Sequence, residues 1–395
     1  MFGWEFPPYS SGGLGTACHG ITQGLSNEGV QVTFVVPTLP SDLKSPYATV
    51  LSAEDFMPSG VNIRKIKGLI TPYMTDEDYL LMKRMALRSG KTMYGSNLFE
   101  EVIRYSERAK TIAKRLDYDV IHAHDWMTYP AGIKAKKASG KPLVVHVHAT
   151  EFDRSGQNPN PHVYKIERAG LNFADKIIAV SQYTKDMLIT HYGVPPGKIA
   201  VVHNAVETSL TNRSARLGRT VLFLGRMTLQ KGPDYFVRAA KKVLQFEPDT
   251  RFIMAGAGDM EPQIINQVIA EGLSDKFIFT GFIDNKLTSD IYSMASVYVM
   301  PSVSEPFGIS ALEAIQSGTP VVVSKQSGVR EIMPHCLTVD FWDIDAMTNM
   351  IVGLLRHRPL RDTLSDNASH ELKSISWGNS ARKCIDVYNE VLAKA

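Results

Sequence analysis

The chain has 395 residues, 44% of them hydrophobic and 21% charged, with a formal net charge of +3. That length exceeds one ordinary core and predicts two domains of globular composition, while +3 is too small to argue for a nucleic-acid partner. No apolar run approaches the roughly 18 residues that span a bilayer, and the opening lacks the basic start and apolar stretch of a signal peptide.

At the start, only two residues precede "GWEFPP", so the first buried strand is expected to be short or to begin upstream. Next comes "SSGGLGTACHGITQGL", where Gly12, Gly13 and Gly15 open a helix. Glycines let backbone approach a phosphate, and a helix start offers free N–H groups and a positive dipole end. The stretch fails as a dinucleotide fingerprint, because Cys18 stands at the third glycine position. The same glycines would also suit a plain tight turn.

Val/Ile-rich runs then recur at 30–37, 119–125, 142–149, 176–181 and 198–206, each followed by a helical pattern. A second series lies at 220–225, 251–256, 277–282, 297–302 and 320–324. Short continuous apolar runs alternating with helices indicate parallel strands buried on both faces, hence doubly wound α/β domains. The polar segment 207–219 between the series reads as a linker, giving domains 1–206 and 220–375. "SWGNSARKCIDVYNEVLAK" then forms a Ser-capped last helix within 376–395. Cys18, Cys336 and Cys384 fit neither a disulfide framework nor a zinc motif, so reduced thiols and a cytoplasmic location are expected.

In such sheets ligands bind beyond the carboxyl ends of strands. At "IHAHDW" a strand ends in His122, His124, Asp125 and Trp126. An Asp beside an aromatic suits a sugar, with the ring stacking and the carboxylate taking hydroxyls. Two histidines at i and i+2 share a face, with no third metal ligand in view, so no metal site is expected. "VHVHATEFDRSG" ends the next strand at His148, followed by Asp153 and Arg154 on a loop. "LGRMTLQKGPDYF" sets Arg226 and Lys231 at a helix start, where two cations face the dipole unfavourably unless an anion sits between them. In "SVSEPFGISALEAIQSG", Glu305 precedes a Pro-Phe-Gly turn and Glu313 sits in the following helix. Glu313 could merely complement the dipole; Glu305 lies outside the helix, and both suit hydroxyl groups. The basic run "GIKAKKASGK" at 132–141 could touch anionic lipid but reads better as a solvated helix face.

In this order and spacing, "GRMTLQKG" with "EPFGISALEAIQSGTPVV" resembles the retaining nucleotide-sugar glycosyltransferases of family 4, which have the two-Rossmann GT-B fold. "MFGWEFPPYSSGGLGTA" and "IHAHDW" resemble the glycogen and starch synthase subgroup. The resemblance implies two Rossmann-like domains facing across a cleft, with the last helix crossing back to the N-terminal one. It implies that Gly12 and Gly13 contact the donor diphosphate and that Arg226 and Lys231 neutralise it. Glu305 would hold the sugar hydroxyls, while Phe307, Gly308 and Ile309 present backbone to sugar and phosphate. Glu313 would take the ribose and His148 would lie over the sugar, with Asp125 and Trp126 on the acceptor side. The base would lie against the loops after "RFIMAG" and "FIFTGF".

The implied donor is a UDP-, ADP- or GDP-sugar, the implied acceptor an α-glucan, and no cofactor or metal is required. Ser10 stands where classical bacterial glycogen synthases carry Lys, which leaves the wider family open for lipid, polysaccharide or small acceptors. A sugar-nucleotide epimerase and a non-catalytic sugar-nucleotide-binding protein share the fold and remain rivals.

Overall fold

The computed structural model describes residues 1–7, 12–38, 45–56, 98–207, 217–283 and 285–394. Ser10, Ser11 and most of the expected linker (208–216) lie outside the described residues. In the N-terminal half, β1 (Thr33–Val36) pairs with β2 (Thr49–Ser52), and β3 (Ile121–His124), β4 (Leu143–Val147), β5 (Lys176–Ala179) and β6 (Ile199–Val201) follow side by side. All these pairs are parallel. Phe2 joins the two groups by bridging Val35 and Ala123 in parallel. Its N–H donates to the His122 carbonyl at 2.7 Å, and its own carbonyl accepts from the His124 N–H at 3.0 Å.

The C-terminal half holds β7 (Thr220–Leu224), β8 (Arg251–Ala255), β9 (Phe277–Gly281), β10 (Val297–Met300), β11 (Val321–Ser324) and β12 (Leu337–Val339). They form one parallel sheet in the order β12-β11-β10-β7-β8-β9. Every residue of β3, β4, β10 and β11 is buried, as continuous apolar runs require of strands covered on both faces. Sequence periodicity missed β2 and β12. Both are short edge strands with partly exposed residues and no continuous apolar run.

Helices alternate with these strands. Those used below are α1 (Gly13–Asn27), α2 (Leu98–Arg115), α3 (Tyr129–Ser139), α4 (Glu151–Ser155), α5 (Pro161–Phe173) and α6 (Gln182–Tyr192). After them come α7 (Pro233–Phe246), α8 (Glu261–Ala270), α9 (Asn285–Met294), α10 (Ile309–Gln316), α11 (Ile344–Arg356), α12 (Arg358–Leu372) and α13 (Trp377–Leu392). The Ser376 hydroxyl caps α13 by accepting from the Asn379 N–H. That helix returns to lie on α1. A Cβ on Gly20 would come within 2.1 Å of the Trp377 ring, and one on Gly24 within 2.4 Å of the Trp377 carbonyl. Only glycines let the two backbones approach this closely. Tyr388, also on α13, reaches the N-terminal sheet, its hydroxyl 2.7 Å from His122 Nδ1.

Lysines of the basic run on α3 find local partners. Lys134 pairs with Glu107, Lys136 with Asp175, and Lys137 lies over the Phe173 ring. Among the described residues, no helix is long and apolar enough to cross a membrane.

Candidate active site

Both sheets reverse their direction of winding once, and open sheets bind ligands at such points. In the C-terminal sheet the reversal falls between β7 and β10, in the N-terminal sheet between the Phe2 bridge and β3. The loops leaving these strands border one cleft of about 1140 Å³. Eleven of the twelve expected site residues line it: Gly12, Gly13, Trp126, His148, Arg226, Lys231, Glu305, Phe307, Gly308, Ile309 and Glu313.

On the C-terminal side, Arg226 follows β7, and Lys231 ends the short turn Leu229–Lys231 just before α7. The Lys231 ammonium pairs with Glu305 at 2.5 Å, and the Ser302 hydroxyl donates to the same carboxylate oxygen at 3.3 Å. Glu305 is itself fixed by a backbone bridge to Ser327. The Phe307 side chain is buried in the core, and its carbonyl accepts from the Val329 N–H at 2.6 Å, so the turn is rigid. Gly308 caps α10 with a left-handed φ of 106° and no side-chain cap. A Cβ there would meet Met300 Cε at 2.9 Å, so both conformation and space demand glycine. The first amides of α10 have no partner within their own helix, and its dipole places partial positive charge at the cleft. Glu313, on α10, is half-buried; the Tyr292 hydroxyl donates to it at 3.2 Å, and desolvation raises its pKa.

The loop carrying Glu305 is tied to the N-terminal half. Ser304 donates to Asp153 at 2.5 Å, Ser181 donates to the Pro306 carbonyl at 2.5 Å, and the Gln182 and Tyr183 amides donate to Glu331. Asp153 and Arg154 lie on α4 rather than on a loop, because Thr150 and Asp153 form a capping box. Arg154 holds Glu151 and Glu167 at 3.4 and 3.3 Å.

On the N-terminal side the expectations need two corrections. Asp125 does not line the cleft. It is 1% exposed, and its Oδ1 accepts the His148 and Ala149 N–H groups at 2.7 and 3.3 Å. It stands in the left-handed region at φ 59°, the one non-glycine to do so among the described residues. Asp125 therefore positions the turn that carries His148, and burial lifts its carboxyl to about 6. Trp126 borders the cleft but is 5% exposed and packed against Phe99 at 5.8 Å, so its ring face is largely spent.

The second correction concerns the histidines. His122 and His124 on β3 are not alone, because parallel pairing sets His146 and His148 beside them from β4. Centroids of His122 and His124, and of His146 and His148, lie 4.2 Å apart. Burial pushes all four imidazoles far down in pKa, His148 to about 3, so they are neutral near pH 7.

Two lining or supporting residues escaped the sequence. Glu5 is buried and accepts the Gly15 N–H at 2.9 Å, anchoring the start of α1. Asn204, beyond β6, lines the cleft at 5% exposure, and its Oδ1 has no partner among the described residues. Its place beyond a strand end was the available signal. At Gly13 a Cβ would meet nothing within 4 Å, so that glycine opens onto free space.

A family model described as Glycosyltransferase Family 4 matches residues 11–210, about half of the chain, and one described as Glycosyl transferases group 1 matches residues 212–371. The chain belongs to glycosyltransferase family 4. This family 4 glycosyltransferase is 29% identical to an uncharacterized glycosyltransferase of Methanocaldococcus jannaschii, over 98% of this chain and 97% of that one. It is 28% identical to a glycogen synthase of Mycobacterium tuberculosis, over 84% of this chain and 78% of the relative. Among solved structures, sucrose-phosphate synthase from Thermosynechococcus elongatus superposes with a TM-score of 0.76 at 20% identity, covering 98% and 95% of the two chains. The architecture is the GT-B fold, as the resemblance implied.

Proposed function

We propose that this glycosyltransferase moves a hexose, glucose in our reading, from a nucleoside-diphosphate sugar to an acceptor hydroxyl with retention of the α configuration. The observation that carries the reading is the Lys231–Glu305 pair beside Arg226 and the uncapped start of α10, facing His148 and the glycine start of α1 across one cleft. Cations and helix-start amides suit a diphosphate. Glu305 suits the sugar hydroxyls, and Glu313, steadied by Tyr292, suits the ribose. Neutral His148 can offer a hydrogen bond to the sugar without adding charge.

The departing diphosphate, neutralised by Arg226 and Lys231, takes the acceptor proton on the face it leaves. Neither glutamate then acts as a glycosidase-type acid or nucleophile, and neither metal nor cofactor is needed. The domain boundaries near residues 206 and 220 and in the 370s follow the same reading: the cleft closes between two units and excludes water.

The acceptor is an α-glucan in our reading, supported by the relative named glycogen synthase. A smaller acceptor is the second reading. It is favoured by the Trp126 ring face being covered by Phe99 and so closed to a stacked sugar chain. Nucleotide release from UDP-, ADP- and GDP-sugars, with and without glycogen or maltooligosaccharides, tests both. Glucan-dependent release from one glucose donor supports the first reading. Release only with small acceptors supports the second, and no release with any pair overturns transfer of this kind.

A further inference from the structure

Close to His148, which borders the cleft, lies a buried thiol that the transfer chemistry does not use. Cys18 comes from the second turn of α1, His124 from the end of β3 and His148 from just past β4. The Cys18 sulfur and one nitrogen from each ring lie within 4.8 Å of one another. The three side chains are 1%, 0% and 7% exposed, and His148 also borders the cleft. Their polar atoms are poorly satisfied by protein. His124 Nδ1 and His148 Nε2 lie 3.0 Å apart, while His124 Nε2 and His148 Nδ1 have no partner among the described residues. Buried polar atoms without partners call for an explanation, and a bound ion is one.

We propose that Cys18, His124 and His148 form a binding site for a thiolate-seeking divalent transition metal of the zinc class, and that filling it inhibits transfer by withdrawing His148 from the donor. On binding, the Cys18 thiol loses its proton to solvent, the two imidazoles give lone pairs, and a water from the cleft completes a tetrahedron. Tetrahedral zinc with nitrogen at about 2.0–2.1 Å and sulfur at about 2.3 Å separates its ligand atoms by about 3.3–3.6 Å. The site must therefore contract by about 1 Å, within the reach of side-chain rotation. A buried dication needs compensating charge. The thiolate supplies one; burial, Glu5 and Asp125 disfavour the thiolate alone, while the two carboxylates favour the bound cation. Imidazoles held neutral by burial are already in the ligating form.

A second trio, His122, His124 and His146, also lies close together. It contains no anionic ligand, and none of its three residues lines the cleft. It carries no site.

The inhibitory half rests on the proposed role of His148; the binding half does not. The test is a cobalt(II) titration of the reduced, metal-stripped full chain, read by the near-ultraviolet thiolate-to-cobalt charge-transfer band. One equivalent should saturate the band, and Cys18→Ser should abolish it. Competition with a chromophoric chelator should show zinc affinity falling at least 10- to 100-fold in that variant, the loss that even an outer-shell change can cause. Cys18→Ala serves if the serine variant fails to fold. No band in the unmodified protein, or a band that survives both substitutions, overturns the site. With the band present, equimolar zinc should suppress nucleotide release and EDTA should restore it. Zinc binding through Cys18 without inhibition overturns the inhibitory half. Absence of transfer under every condition counts against the proposed function and leaves the cobalt result standing.

Discussion

In the N-terminal half, four imidazoles are packed ring on ring and kept neutral by burial, His148 alone among them lining the cleft, with Asp125 turned inward to hold backbone. In the C-terminal half, the equivalent strand ends carry Arg226, Lys231, Glu305 and Glu313 around the start of a helix. The two sheets share parallel strands and a single reversal of winding, yet the strand ends of one half offer shape and uncharged hydrogen bonding, its cleft charges Glu151 and Arg154 being paired with each other, and those of the other half offer charge. The lesson is where changes should register. Substitutions in the charged half should chiefly cost turnover, and those in the neutral half, His148 apart, should chiefly cost stability.

The sharpest test is Glu305→Ala. Nucleotide release should fall on the order of 100- to 1000-fold, as for loss of one preorganised polar group, while nucleotide binding by calorimetry persists. Unchanged turnover would remove the charged half from the chemistry. Asp125→Ala should instead strip the His148 and Ala149 amides of their acceptor. That costs about 1–3 kcal/mol for each buried donor left unpaired, read by chemical denaturation. Asp125→Asn keeps an acceptor oxygen and tolerates a left-handed backbone, so it should cost much less.

The next contrast is pH. The four imidazoles titrate near 6.5 when unfolded but far lower when folded, so their contribution is complete above pH 6.5 and lost as pH falls. Each then costs about 1.4 kcal/mol per pH unit. Asp125, raised to about 6, Glu167, raised to about 7, and Asp153, Glu101 and Glu313, all raised by burial, act in the opposite sense, while the buried Met1 amino group, lowered to about 5, adds to the imidazoles. The imidazoles and the Met1 amino group outweigh the carboxyls, so stability should fall as pH drops from 6 to 5. A flat urea-unfolding profile over that range would mean that the imidazoles are not held neutral. The smallest expected effect is that of EDTA on freshly purified protein, where turnover should not decrease. A strong loss would show that the cations Arg226 and Lys231 do not suffice.

Much of this arrangement was legible because burial on both faces writes continuous apolar strands, and residues just beyond such strands have few structural reasons to be charged. Arg226, Lys231 and Glu305 stood out for that reason. Asp125 was misplaced because composition does not say which way a strand-end side chain turns. A left-handed φ and two backbone partners decide that, and neither has a signature of its own. The imidazole layer was missed for a different cause: pairing β3 with β4 is a tertiary event, so "HAH" and "HVH" read separately each show half a layer. Edge strands β2 and β12 were invisible because half-exposed edges do not need the apolar run that marks a central strand.

The contact between α13 and α1 bears on the order in which the chain matures at the ribosome. Residues 13–27 emerge early, but Trp377, whose ring packs over Gly20 and whose carbonyl packs over Gly24, is made hundreds of residues later. Until then, the apolar face formed by Ile21, Leu25 and Val144 has no cover from Ala381, Cys384 and Val391. A nascent chain must therefore carry an open apolar surface through most of its synthesis, the circumstance in which chaperones are engaged.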